Sequence, residues 1–470
     1  MMSPTLVPTL STNPGDTPIY RQIYDRFLAA IAQGNLQPGD RIPSARALAK
    51  ELGVARGTVE LAYSLLHAEG YVQPQGQAGT VITPGLLATS VGKTPPVEHT
   101  ALSTGPTAPA LLPFQMGIPA LDAFPRKIWA RLGARQLRAT QTVDLSYPPV
   151  NGLPALRTAI AAHLQVARGI HCSPAQVFIT AGYRESVSLI IQTLLKTSDQ
   201  VWTENPCYPP TRELLQHAGL TDIPLSADAQ GMDIAKGLTL APDAKAAIVT
   251  PAHQSPLSVT LSLPRRQSLL EWAEQQQSWI IEDDYDGEYR YISRPLPALK
   301  SLDRHGRVLY AGTFSKVLFP GIRLAYLVVP EALVSRFDAM SRILGNGSPA
   351  LTQSIVSAFI TEGHFARHIQ RMRKLYGERR TATAAGLAKV LGKAMRIDPQ
   401  PGGMHLIARL ADRHSDTELA QRLRDNGLYA HALSRWFSGA THESGLLLGF
   451  TNIRSQDEAE ELGQKIRTLL

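Results

Sequence analysis

The chain is poor in cysteine, with only Cys172 and Cys207 among 470 residues. Two thiols cannot build a disulfide framework, and such sparse use fits a reducing compartment. Long apolar runs are also missing, and none approaches the ~20 residues a membrane-spanning helix needs. The opening "MMSPTLVPTLSTNPGDTP" has neither a basic stretch nor an apolar one, so it does not read as a secretory signal. No unit recurs at solenoid periods. These absences together predict a cytoplasmic protein.

The 470 residues exceed one ordinary core and predict two or three domains. A hydrophobic content of 44% and a charged content of 18% are ordinary for a globular protein. The net charge of +8 and pI near 9.4 suit an acidic partner such as nucleic acid. Composition then divides the chain. A stretch rich in Pro, Thr, Ser and Ala reads as a linker over 85–113, between a module at 15–84 and a body at 114–470.

The module reads as three helices and a hairpin. Ile19, Ile23, Phe27 and Ile31 recur every four residues, and Gly34 closes that helix. "QPGDRIPS" turns the chain, with Ser44 as N-cap of "ARALAKELG". The third helix, in "VARGTVELAYSLLHAEG", sets Val59, Tyr63 and Leu66 on one face. "YVQPQGQAGTVIT" reads as two strands around a turn. This is the winged helix-turn-helix order, whose third helix enters the DNA major groove. Arg46, Arg56 and Thr58 stand near the helix starts where phosphates and base edges are met. Residues 1–84 hold six basic and six acidic residues, so the module is formally neutral; four of its cations fall between 41 and 56. A generic three-helix interaction domain remains the competing reading.

The body alternates short apolar runs, such as "AQVFITAG", "SWIIEDDY" and "RVLYAG", with helical patterns. That predicts an α/β fold with a mostly parallel sheet and ligands at the carboxyl ends of its strands. The last hundred residues read as a smaller α+β part with "GLLLGFT" as a strand.

Lys316, in "GTFSKVLFPGIRLAY", follows a strand end. A partly desolvated lysine amine there forms a Schiff base with an aldehyde, most often pyridoxal 5'-phosphate (PLP). PLP needs an acid at its ring nitrogen, a donor at its ring hydroxyl, a helix N-terminus and cation for phosphate, and a cover for the ring. Asp283 and Tyr285 supply the first two. The turn Gly182, Tyr183 and Arg184, with Arg323, Thr313 and Ser315, supplies the phosphate donors. Tyr208 stacks on the ring, and His253 and Gln254 approach its edge. Other readings stand beside these. "EDDYDGE" lacks the spacing of an EF-hand loop, and His364 and His368, one helical turn apart, lack the Glu of a zincin pattern and read as a solvated helix face, so no metal site is expected; His253 could be a satisfied strand-end histidine.

The residues from Pro18 to Ile82, above all "PGDRIPSARALAKELGVARGTV", resemble the GntR-type winged-helix domain. That resemblance implies DNA contacts by Arg46, Arg56 and Thr58 and by the wing residues Gln75, Gly76 and Gln77. In order, "YPPVNGLPALRTAIAAHL", "TAGYRES", "ENPCYPPTR", "TPAHQSP", "IIEDDYDGEYRY", "GTFSKVLFPGIRLAY", "PGGMHL" and "LSRWFSG" resemble the fold-type I, aminotransferase-like domain of MocR-type regulators. The resemblance implies promoter binding, and sensing of PLP or an amino compound through an internal aldimine at Lys316. It also implies a head-to-tail homodimer in which Tyr147 reaches the neighbour's phosphate, and an effector carboxylate gripped by Arg435 or Arg212. A working aminotransferase with an appended DNA-binding domain is the alternative. Four departures stand out. Ala55 replaces a Ser or Thr, Pro256-Leu257-Ser258-Val259 stands where Pro-Thr-Gly is usual, Tyr183 and Arg184 replace small or Gln side chains, and Asp283-Asp284-Tyr285 is one residue shorter than the Asp-x-x-Tyr of many aminotransferases, as is normal for the regulators.

Overall fold

A computed structural model describes residues 17–76, 79–85, 111–291, 297–345, 347–398, 402–411, 415–439 and 443–470. Gln77 and nearly all of the 85–113 stretch lie outside the described residues. The chain forms two compact units, Met1–Pro109 and Ala110–Leu470.

In the first unit, helices α1 (Ile19–Ala32), α2 (Ala45–Leu52) and α3 (Arg56–Ala68) surround one core. Ile23, Phe27 and Ile31 of α1 are buried there with Val59 and Leu66 of α3. Tyr63 packs edge-on against Phe27, with centroids 5.5 Å apart, and its hydroxyl donates to Pro43 O at 2.9 Å. Ser44 caps α2, accepting from Ala47 N at 3.2 Å. Ala55 gives α3 no side-chain cap. Strands β1 (Arg41–Ile42), β2 (Val72–Pro74) and β3 (Thr80–Ile82) form an antiparallel sheet in the order β1-β3-β2. The reading of "QPGDRIPS" as a turn needs amending: Arg41 and Ile42 leave it to pair with β3, and Ile42 enters the core.

The second unit is built on an eight-stranded sheet. Its strands are β4 (Val177–Thr180), β5 (Gln200–Asn205), β6 (Thr221–Asp228), β7 (Gly231–Met232), β8 (Ala246–Val249), β9 (Trp279–Asp284), β10 (Val308–Thr313) and β11 (Ala325–Val328). They are ordered β4-β11-β10-β9-β8-β5-β6-β7. The β6-β5-β8-β9-β10 run is parallel, whereas β11 is antiparallel to both neighbours. The central strands are apolar along their length because helices cover both faces. Ala311 pairs with Asp283 and Ala325 with both Thr313 and Thr180, which brings three strand ends side by side.

A smaller antiparallel sheet follows: β12 (Met395–Asp398), β13 (His405–Leu410), β14 (His431–Ala432) and β15 (Gly445–Gly449), ordered β12-β13-β15-β14. It shares a core with the helices His364–Leu391 and Gln456–Leu469. No helix among the described residues is long and apolar enough to cross a membrane.

Candidate cofactor and effector site

A cavity of about 320 Å3 opens at the carboxyl ends of β9 and β10. Ten residues singled out by sequence line it: Gly182, Tyr183, Arg184, Tyr208, Asp283, Tyr285, Thr313, Ser315, Lys316 and Arg323. They come from four separate stretches, brought together by the strand order.

Lys316 Nζ donates to Gly117 O at 3.0 Å. Burial pushes its pKa down, while Asp286 and Asp283 pull it back up. The Asp283 carboxyl lines the same cavity and accepts no hydrogen bond from any described residue. Burial raises its pKa well above the carboxylate range, reinforced by Asp284, Asp286 and Glu204 and opposed by Lys316. Its neighbour Asp284 is spent structurally. It pairs with the buried Arg168, accepts from Tyr310 Oη and takes Gly287 N–H at 3.0 Å. Alternation along β9 separates the two, sending one carboxylate to the network and the other to the cavity.

Tyr285 Oη lies 2.9 Å from His253 Nδ1, which is also 2.9 Å from Asp286 Oδ1. His253 is buried behind the cavity wall, and the φ of +80° at Gly403 lets backbone pass close to it. A Cβ at Gly403 would stand 2.1 Å from His253 Cε1. Gln254 braces the following loop: it donates to Pro206 O at 2.7 Å and accepts from Leu257 N at 2.9 Å. Ser258 takes a φ of +63° in that loop, at the position where the resemblance expects glycine.

At the other end, Gly182 precedes the helix Tyr183–Leu194 with a φ of +150°. Its missing Cβ leaves the turn open toward Arg323, whose Nη1 would be 3.6 Å from that carbon. Tyr183 Oη pairs with Thr211 Oγ1 at 2.7 Å, and Arg184 leans outward to Glu213 at 3.5 Å. Arg184 therefore offers the site its backbone more than its guanidinium. Thr313 Oγ1 accepts from Ser315 N at 3.1 Å. Tyr208 packs against Trp436 with centroids 5.6 Å apart.

Several predicted residues lie elsewhere. Tyr147 is fully exposed and outside this cavity. Neither Arg435 nor Arg212 lines it. Arg212 donates to Ser438 Oγ and, at 3.0 Å, to Arg435 O, which fixes the turn carrying Trp436. His368 is buried with Nε2 2.9 Å from Val317 O. The wall also holds Met116, Gly117 and His431, on which the sequence gives no motif, and Met404, His405 and Trp436, which lie in "PGGMHL" and "LSRWFSG" without an assigned role. They come from the segment after the linker and from the strands and turns of the smaller sheet. The local signals are the two motifs themselves.

The residues fit PLP on the chain's own chemistry. An unpartnered, desolvated carboxyl is stabilised in its charged form by a cationic N–H at hydrogen-bond distance, as a protonated ring nitrogen supplies. A helix N-terminus with an arginine over it is a phosphate site. A depressed lysine amine between the two is the group an aldehyde needs.

In the first unit, Arg46, Arg56, Gln75 and Gly76 are exposed and Thr58 is half-buried. Arg56 makes an exposed ion pair with Glu60 at 2.8 Å. Gln75 N donates to Gly79 O at 2.7 Å, closing the wing turn.

The sequence matches two families. "Bacterial regulatory proteins, gntR family" covers residues 19–82, and "Aminotransferase class I and II" covers residues 118–437. The chain is 34% identical to the probable rhizopine catabolism regulatory protein MocR of Rhizobium meliloti, over 93% of this chain and 91% of that protein. It is also 34% identical to the HTH-type pyridoxine biosynthesis transcriptional regulator PdxR of Corynebacterium glutamicum, over 94% of each. Among solved structures, an archaeal alanine:glyoxylate aminotransferase superposes with a TM-score of 0.70 and 26% identity, over 76% of this chain and 90% of that one. LysN, the α-aminoadipate aminotransferase of Thermus thermophilus, gives 0.69 and 27%, over 76% and 92%. A gntR-type winged module fused to an aminotransferase-class body, matched end to end by HTH-type regulators, places this chain in the MocR-type branch of the GntR family of transcriptional regulators.

Proposed function

We propose that this regulator holds PLP in the cavity at the ends of β9 and β10 and changes its grip on promoter DNA when PLP or an amino compound occupies that cavity. The observation that carries the reading is Asp283, a half-buried carboxyl facing the cavity without a hydrogen-bond partner among the described residues. PLP, when bound, supplies an aldehyde that bonds reversibly to amines. Lys316 is the amine placed to hold it. Asp283 keeps the ring nitrogen protonated, and Tyr285, oriented by His253 and Asp286, meets the ring hydroxyl. The amides after Gly182, with Arg323, take the phosphate. Tyr208, backed by Trp436, covers the ring. On the DNA side, Arg46, Arg56 and Thr58 meet the groove, and Gln75, Gly76 and Gln77 support the wing. The protein works as a cytoplasmic homodimer in which Tyr147 reaches the phosphate of the neighbouring subunit; its full exposure in one subunit supports that role. Arg435 is the leading candidate for an effector carboxylate, and Arg212 serves it by fixing its turn.

The test is absorbance of the purified protein with PLP, alongside retardation of DNA from upstream of its own coding region. The wild type gains a PLP band shifted from that of free PLP, and the Lys316→Ala protein does not. An unchanged band in Lys316→Ala defeats the site assignment. A second reading, an active aminotransferase, is favoured by Asp283, Tyr285, Lys316 and Arg323 lining one cavity. Turnover of an amino donor with a keto acid at ~1–10³ per second would establish it.

A further inference from the structure

The chain's charge is unevenly divided. Residues 1–84 are formally neutral, so the entire surplus of +8 lies beyond them. Part of it is concentrated on the helix Arg126–Ala139, which holds five cations and no carboxylate. Lys127, Arg131, Arg135 and Arg138 are spaced by four, four and three residues and form one stripe along that helix. At 1.5 Å per residue the stripe runs ~16 Å. All four side chains are exposed. Among the described residues only Arg135 of these is ion-paired, with Glu362. Like charges four residues apart weaken a helix. The stripe is therefore no device for stability.

A second basic stretch is held beside it. Arg367 and Arg371 are exposed and four residues apart on the helix His364–Leu391. Arg371 reaches Ala123 O, just before the striped helix, and the Arg135–Glu362 pair ties the two regions again. Beneath the charges, Phe124 and Trp129 pack on His368 and Phe359, which makes the platform rigid.

We propose that this surface is a second contact for duplex DNA, in which the stripe and its two neighbours hold phosphates outside the stretch read by the winged module. The inference rests on the DNA-binding reading above. A linear row of exposed cations, of which Lys127, Arg131 and Arg138 have no ion-pair partner among the described residues, matches a linear polyanion, which carries a charge every ~1.7 Å of its axis. A compact anion would call for an enclosing pocket, which an exposed stripe does not provide. Contacts of this kind position a protein without reading sequence.

The test compares the full-length protein with K127Q/R131Q/R138Q, which spares the paired Arg135. The probe is a 60-base-pair duplex of random sequence, titrated between 50 and 200 mM salt. Losing three phosphate contacts lowers the slope of log affinity against log salt by roughly 2–3. Thermal melting and oligomeric state stay as in the wild type, and the charge-retaining R131K/R138K protein keeps the wild-type slope. An unchanged slope in the triple variant overturns the proposal. So does a loss accompanied by dissociation of subunits, which would make the stripe an interface between copies. A wild type with no preference for its own upstream DNA over the random duplex defeats the promoter-binding reading instead, and is distinguishable on that ground.

Discussion

The winged module and the cofactor cavity use ionisable residues in opposite ways. The module keeps the cations proposed to meet DNA in water, where Arg56 pairs with the exposed Glu60. The cavity leaves Asp283 and Lys316 half-buried, and desolvation pushes both toward their neutral forms. The exposed set is ready for a partner that brings its own charge in bulk. The half-buried set is sensitive to one small molecule, because a single counter-charge is strongly felt there. A regulator that joins them separates a robust contact from a tunable one.

The sharpest way to break this comparison is to remove the charge at Asp283. Asp283→Asn is expected to weaken PLP binding by roughly 10- to 100-fold, the worth of a hydrogen bond to a charged group. DNA affinity without PLP should stay at the wild-type level. Fluorescence titration and retardation on the same preparation check both halves. Arg56→Ala is the mirror experiment. It should cost about 1–3 kcal/mol of DNA binding and leave PLP binding unchanged.

Glu204 sharpens the comparison through pH. Burial raises its pKa to about 7, against hydrogen bonds from Thr250 and Gln254 that lower it. The folded state therefore keeps this proton across a window, between about 4.5 and about 7, where the unfolded chain has released it. The stability it contributes is fully present below that window and is lost as pH rises through it. Glu204→Gln removes the dependence, so the variant should gain on the wild type between pH 5 and pH 8 in thermal melts. The smallest effect is expected from Ser44→Ala, which removes the cap of α2. It should cost about 1 kcal/mol of module stability, visible in melting, with the PLP spectrum untouched.

Legibility in the sequence followed the same divide. The three helices of the module could be read because their apolar faces repeat locally, as Ile23, Phe27 and Ile31 do. β1 could not, since two residues carry no period and pair with a strand some forty positions on. In the body, apolar runs marked the central strands. β6, with Pro224 and four acidic or hydroxyl residues in eight, did not look like a strand; it forms because β5 pairs along six of its residues. Asp283, Tyr285, Lys316 and Arg323 were found because they stand at or just beyond strand ends. His405 and Trp436 stand in quoted motifs without an assigned role, and His431 in none, because the smaller sheet and its turns carry them to the cavity by contacts distant in sequence.

One bond of the cavity reaches beyond it. Gly117 O, which takes the Lys316 amine, belongs to the first stretch of chain after the linker. That stretch is sewn to β15, with Gly449 N donating to Phe114 O at 2.8 Å, and to Tyr429 N through Pro113 O at 2.9 Å. The stitch to Lys316 is the only one of these three that depends on a titratable, reactive group. A lysine engaged elsewhere lets go of Gly117 and loosens the thread by about 1 kcal/mol, the worth of one hydrogen bond. The thread loosened is the one that leads along the chain to the DNA reader.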